Sequence, residues 1–284
     1  MCFRQIAVTT QSREAFFLPG PFDPGRFCLL QIPSEALKGC VLFVPAFAEE
    51  MNKSRRMVAL AADYFAANGW ASMLLDPSGC GDSGGDFSDA EWLGWQDDID
   101  AAYTWLSERF GVTPVLWSMR AGCLLVTDWL RSRQIDVPTL FWQPVIHGKQ
   151  HLTQFLFLKA AGEMLGDSDG RAVMARTRQD LASGCSVEIA GYTLSPYLAE
   201  GLEAASLEAF PSLKSTTTVI EVLASEGVSG PNSIALQQKW SAMSIPYAWA
   251  TVTGPAFWRT QEISVALSLP VVSLDALNGG VGEL

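Results

Sequence analysis

The sequence predicts an α/β fold: a central, mostly parallel sheet flanked by helices and interrupted by an inserted helical cap. Three observations carry this reading. Strand-like and helix-like segments alternate from residue 40 to about 145, the pattern of βαβ units. The run "CVLFVPAF" is almost wholly apolar, as a strand buried on both faces must be. From 148 to 213 the alternation gives way to a mixed, mostly helical stretch, and it then resumes.

Taken in order, "REAFF" and "RFCLLQI" read as two opening strands joined by the Gly/Pro turn "LPGPFDPG". After "CVLFVPAF" come "AEEMNKSRR" and a helical stretch, "MVALAADYFAANGW", that stops at Gly69. "ASMLLD" is a strand and "PSGCGDSGGDF" a turn-rich loop. "DAEWLGWQDDIDAAYTWLSERFG" has helical spacing and a glycine stop, and its Trp92, Trp95 and Trp105 fit core packing. "TPVLWS" (strand), "RAGCLLVTDWLRSR" (helix) and "PTLFWQPV" (strand) follow. Beyond the cap, "TTTVIEVLA" and "YAWATVT" are strands, while "PNSIALQQKWSAM" and "TQEISVALSL" are helices. The domain division is therefore 1–147 plus 214–284 for the core and 148–213 for the cap. The strands at 41–46, 71–75 and 114–117 are apolar on both faces with helices between them, so they should lie side by side in mid-sheet.

Of the 284 residues, 49% are hydrophobic and 17% charged, with ten Trp and fifteen Phe, enough for a large core. The net charge of -11 argues against a nucleic-acid partner and against docking on an anionic membrane. Cys2, Cys28, Cys40, Cys80, Cys123 and Cys185 form no CxxC pair and no disulfide framework. The opening "MCFRQIAVTT" lacks a secretory apolar core, and no run approaches the ~20 apolar residues of a membrane span. The expectation is a soluble, cytoplasmic protein with free thiols and no cofactor.

Residues 115–122, "VLWSMRAG", look like a strand turning sharply into a helix. An α/β-hydrolase carries its nucleophile there, in the pattern small–x–Ser–x–small. Here the pattern fits as Ser118–Met119–Arg120–Ala121–Gly122, with arginine in the nucleophile's place. "LDPSGCGDSGG" resembles a strand-end loop of the same superfamily through Asp76, Gly79, Gly81 and Ser83. The motifs "VPAFAEEMNKSRRM", "LWSMRAG", "FWQPVIHG", "IAGY" and "GPAFW" are together similar to the exosortase A system-associated hydrolase 2 family, over most of the chain. That resemblance implies a hydrolase of an ester or related small substrate. It also implies association with bacterial gene clusters for exopolysaccharide production and exosortase sorting.

The residues themselves argue for a departed active site. The fold's chain order is nucleophile, acid, histidine. Arg120 stays protonated and has no lone pair with which to attack. Glu226 stands near the acid's position. Where the histidine should follow "YAWATVT", the chain reads Gly254, Pro255, Ala256, Phe257 and Trp258, and no histidine occurs after His151. Ser118 is the runner-up nucleophile, against a structural role that lets the turn close. "GDSGG" reads as a glycine turn, Cys123 as a buried small hydrophobe, and Asp97 and Asp98 as a solvated face or a capping partner. His147 and His151 are four apart, but Gly148 makes helical geometry doubtful there, no third ligand completes a metal set, and ordinary polar roles are expected.

A cation at a helix amino terminus opposes the dipole, so Arg120 needs an anion. The loop after the third strand offers Glu49 and Glu50; the other option is the carboxylate, phosphate or sulfate of a small ligand. In open α/β sheets the crevice lies beyond the strand carboxyl ends, which predicts a pocket lined by Phe47, Met119 and Trp258. Two readings of different class follow: a hydrolase with unconventional chemistry, or a catalytically silent binding or accessory protein. Oligomeric state stays open.

Overall fold

The computed structural model describes residues 12–164 and 169–279. The chain opens with β1 (Ser12–Leu18) and β2 (Arg26–Ile32), an antiparallel hairpin. Then come β3 (Gly39–Val44), α1 (Glu49–Ala67), β4 (Trp70–Leu75), α2 (Trp92–Phe110), β5 (Val115–Met119), α3 (Gly122–Arg133) and β6 (Thr139–Trp142). The block between β6 and the next sheet strand holds α4 (Gly148–Met164), α5 (Gly170–Ala182), the small hairpin β7 (Val187–Ile189)–β8 (Tyr192–Leu194), and α6 (Pro196–Ala204). The chain then adds β9 (Thr217–Leu223), α7 (Pro231–Ala242), β10 (Tyr247–Thr253) and α8 (Leu269–Leu277).

Eight of these strands form one sheet in the order β1-β2-β4-β3-β5-β6-β9-β10. The pairing is antiparallel as far as β4 and parallel from there on. β4, β3 and β5 are neighbours in mid-sheet, with Val41 opposite both Ser72 and Val115, as their two-sided apolarity predicts. Alternate β3 residues feed two separate core layers. Leu42 and Val44 pack with Ile99, Leu124 and Trp129 on the α2/α3 side. Val41 and Phe43 pack with Phe65, Trp117 and Trp142 on the α1/α8 side. Burying both faces is what keeps such a sheet parallel.

Two helices differ from the sequence reading. α1 begins at Glu49 rather than near Met57, because Glu49 and Glu50 suit the positive end of a helix dipole and Ser54 bonds back to the Glu50 carbonyl at 2.5 Å. The last helix is not "TQEISVALSL". It begins at Leu269 and runs on to Leu277, with Pro270 in its first turn, where a missing N–H costs nothing. The block from β6 to β9 is mostly helical, as expected, with the β7–β8 hairpin in addition. It touches the rest of the molecule through Ser195 Oγ on the Ala90 carbonyl, Phe155 on Phe47 and Tyr192 on Phe87. Among the described residues no helix is long and apolar enough to cross a membrane. Cys28, Cys40, Cys80, Cys123 and Cys185 are free thiols, and Cys2 lies outside the described residues.

Candidate functional site: a nucleophile elbow occupied by arginine

The turn from β5 into α3 is as tight as the motif requires. Arg120 takes the left-handed backbone conformation, with φ 54°. Gly122 is needed because a Cβ there would stand 2.2 Å from the Pro45 carbonyl oxygen and 2.6 Å from Ser118 Oγ. Ser118 is buried and donates its hydroxyl proton to the Val44 carbonyl at 2.8 Å. Its hydroxyl thus ties the turn to β3. The Arg120 N–H donates to the Trp142 carbonyl at 3.1 Å, and its own carbonyl accepts from Val145 at 3.2 Å, which pins the apex to the end of β6.

The side chain of Arg120 is fully engaged. Nε donates to Glu50 Oε2 and Nη2 to Glu50 Oε1, both at 3.1 Å, a fork on one carboxylate. Nη1 donates to the Gln143 carbonyl at 3.3 Å. The guanidinium carbon lies 5.3 Å from the ring centroid of Trp258, a cation–π contact. Arg120 and Glu50 side chains are only 14% and 19% exposed. Of the two carboxylates anticipated, the pair is made by Glu50. Glu49 faces outward and accepts from the Tyr192 hydroxyl at 3.2 Å, which in turn accepts from Asn52 Nδ2 at 2.9 Å.

A third residue comes from the inserted block. His151 is buried, with Nε2 3.9 Å from Glu50 Oε2 and its ring edge-on to Phe47. Burial, with help from the Arg120 charge, pushes its pKa below the ordinary value against the pull of Glu50. Near neutral pH the imidazole is therefore uncharged. Against expectation, Gly148 opens α4 instead of breaking it, and the His151 N–H donates to the His147 carbonyl, so the two histidines do stand at helical spacing. They part all the same, for His147 lies by Ser206 and Glu208. Among the described residues no group of three His, Cys, Asp or Glu could hold a metal.

Some other expectations are corrected and others hold. Glu226 lies exposed in the bend after β9, and the carboxylate that reaches the elbow comes from α1. Phe47, Met119 and Trp258 do not line one pocket. Phe47 packs with Trp95 and Phe155 on the α2/α3 side, whereas Met119 and Trp258 are buried in the α1/α8 layer. The space beside the elbow lined by Phe47, Trp95, Ala121 and Gly122 is about 10 Å³, room for one water at most. Trp258 lies in the segment that follows β10, and among the described residues its buried Nε1 has no hydrogen-bond partner. The "GDSGG" loop is a structural turn: Ser83 Oγ accepts from the Phe27 N–H at 2.7 Å, and Asp76 holds Arg55 and the Asp82 N–H. Asp98 is buried against Arg26 and the Ser78 N–H, while Asp97 pairs with Arg133 at the surface. Burial pushes the Cys123 thiol up, so it offers no thiolate.

The sheet order, the elbow and the position of the inserted block together define the α/β-hydrolase fold. Solved structures that resemble this chain share it. Est1E from Butyrivibrio proteoclasticus matches with a TM-score of 0.62 and 13% identity, over 95% of this chain and 99% of that one. An α/β serine hydrolase homologue from Coxiella burnetii matches at 0.55 and 12%, over 93% and 97%. A lidless serine hydrolase from Xanthomonas campestris matches at 0.56 and 11%, over 96% of each chain. At these identities the likeness is one of fold. No family model matches the chain, and no curated protein matches it.

Proposed function

We propose that this chain is a non-hydrolytic α/β-hydrolase-fold protein that serves as a binding or accessory component of bacterial exopolysaccharide and exosortase systems. One observation supports the loss of hydrolysis above the others. The elbow apex carries a guanidinium forked onto Glu50 and stacked on Trp258, so the positions of nucleophile and histidine are both filled by groups that cannot do their chemistry. The link to exopolysaccharide and exosortase clusters rests on the motif resemblance. In this reading residues 148–213 act as a cap that closes the elbow through His151, and the protein works in the cytoplasm. A small anionic ligand at this site would have to displace Glu50 from Arg120.

The test is a screen with short p-nitrophenyl esters and a fluorophosphonate probe. The expected result is no turnover and no labelled serine in the wild type or in Arg120→Ser, which restores a hydroxyl without a histidine. A labelled Ser118 or measurable hydrolysis overturns the proposal. A second reading, a hydrolase of an ester or related small substrate, is favoured by a single feature: a neutral His151 beside the Glu50 carboxylate, able in principle to take a proton from water. Under it, His151→Ala abolishes an activity that the wild type possesses.

A further inference from the structure

The two edges of the large sheet are built differently. β1 carries Arg13 and Glu14, paired with Asp63 and Arg109, and such charges discourage strand addition. β10, "YAWATVT", has no charge and no proline in seven residues, and among the described residues β9 is its sole strand partner. In a chain of net charge -11 this is a stretch where a second copy can approach without like-charge repulsion. The flanking layers add exposed apolar side chains: Ile234 on α7, Met243 just past its end, and Ile263 and Leu267 between β10 and α8.

The hydrogen-bond phase of β10 fixes which groups are on offer. The Gly254 N–H donates to the Leu223 carbonyl, so the even-numbered residues direct their backbone at β9. Tyr247, Trp249, Thr251 and Thr253 therefore present N–H and C=O outward. On the same face of the sheet, the two aromatics are half-buried and the two threonines exposed.

We propose that β10 pairs antiparallel with β10 of a second copy about a two-fold axis through Ala250, giving one continuous sheet. Every strand residue then finds a partner at once. Trp249 meets Thr251 of the second copy and Tyr247 meets its Thr253, each as a hydrogen-bonded pair that sets an aromatic ring over an exposed threonine. Ala250 meets its own counterpart in a non-hydrogen-bonded pair, where Cα atoms stand about 4.5 Å apart.

Sedimentation across a concentration series reads the mass. The expected particle has twice the 30.8 kDa of the chain. Thr251→Pro, which removes one outward N–H while leaving the bonds to β9, should sediment as a monomer at concentrations where the wild type is dimeric. Ala250→Cys, in a background with Cys2 and Cys185 replaced by Ser, should form a symmetric disulfide dimer under mild oxidation, because about 4.5 Å lies within disulfide reach. Ala248→Cys, which would face Val252 of the second copy, should not. A wild type that stays monomeric throughout, or a dimer in which Ala250→Cys fails to cross-link, overturns the proposal. The cross-link stands as evidence even if the proline variant does not fold.

Discussion

Arg120 is a residue whose backbone and side chain make opposite demands. Its φ of 54° suits glycine, and a left-handed non-glycine residue costs on the order of 1 kcal/mol. Its charge sits at the start of α3, where the dipole disfavours a cation. Glu50 and Trp258 offset both. Arg120→Ala should strand a mostly buried carboxylate and destabilise the protein by about 2–3 kcal/mol, somewhat under the figure for a fully buried pair because both side chains keep some solvent. Urea unfolding measures it, and a change within about 0.5 kcal/mol would mean the pair contributes little. His151 supplies a pH test. Its folded-state pKa is depressed below 6.5, so between the two values the unfolded chain binds the proton that the folded chain refuses. Stability from this group is full above the unfolded pKa and falls as pH drops through about 6.5 and below. The groups facing the imidazole are Glu50, Arg120 and the ring of Phe47. Melting temperatures should decline from pH 7 to pH 5 more steeply in the wild type than in His151→Gln, and equal slopes would refute this.

At the scale of elements, close backbone approaches hold the site together. Gly122 lets α3 start against the end of β3. Gly122→Ala would press a methyl into the Pro45 and Val44 carbonyl oxygens, at 2.2 and 2.9 Å, neither of which can swing away. The expected cost is ~3 kcal/mol or more, at the upper end for overpacking, read as a lowered urea midpoint at unchanged slope. Ala48, which precedes α1, is the opposite case. It holds φ 50° and ψ -125°, a strained conformation for an alanine. Ala48→Gly should release more strain than the unfolded-chain entropy it adds, for a net gain of about 1 kcal/mol and a higher melting temperature. The elbow pattern marks Gly122 as a small residue without showing what it would strike, and Ala48 carries no mark in the sequence at all. The start of α8 was legible in principle, since Pro270 opens a helix more readily than it continues one.

For the molecule as a whole, one sheet divides the apolar side chains between two layers, and the buried cysteines lie in one of them. Cys28 and Cys123 lie on the α2/α3 side and Cys40 belongs to the same layer. Burial pushes the Cys28 and Cys40 thiols up to about 12. Cys185 is the exposed cysteine among the described ones. Alkylation of the native protein, read by peptide mass, should mark Cys185 within minutes and leave Cys28, Cys40 and Cys123 untouched until denaturant is added. Rapid labelling at any of those three would mean that the layer opens on that timescale.

By itself the sequence determined the sheet, the arginine at position 120 and the absence of any histidine after residue 151. Two-sided apolar strands separated by helices can be buried only in mid-sheet, and residue identities at fixed positions do not depend on where the loops run. The tertiary structure alone decided what surrounds the arginine. Whether Glu49 or Glu50 pairs with it depends on the helical phase of α1, about 100° per residue, against an elbow 70 positions away. That His151 arrives beside Glu50 depends on how the inserted block folds back. That Phe47 and Met119 part company depends on which sheet face each adopts. Periodicity reports local geometry, and these three facts are contacts across long sequence separations, so no local pattern encodes them.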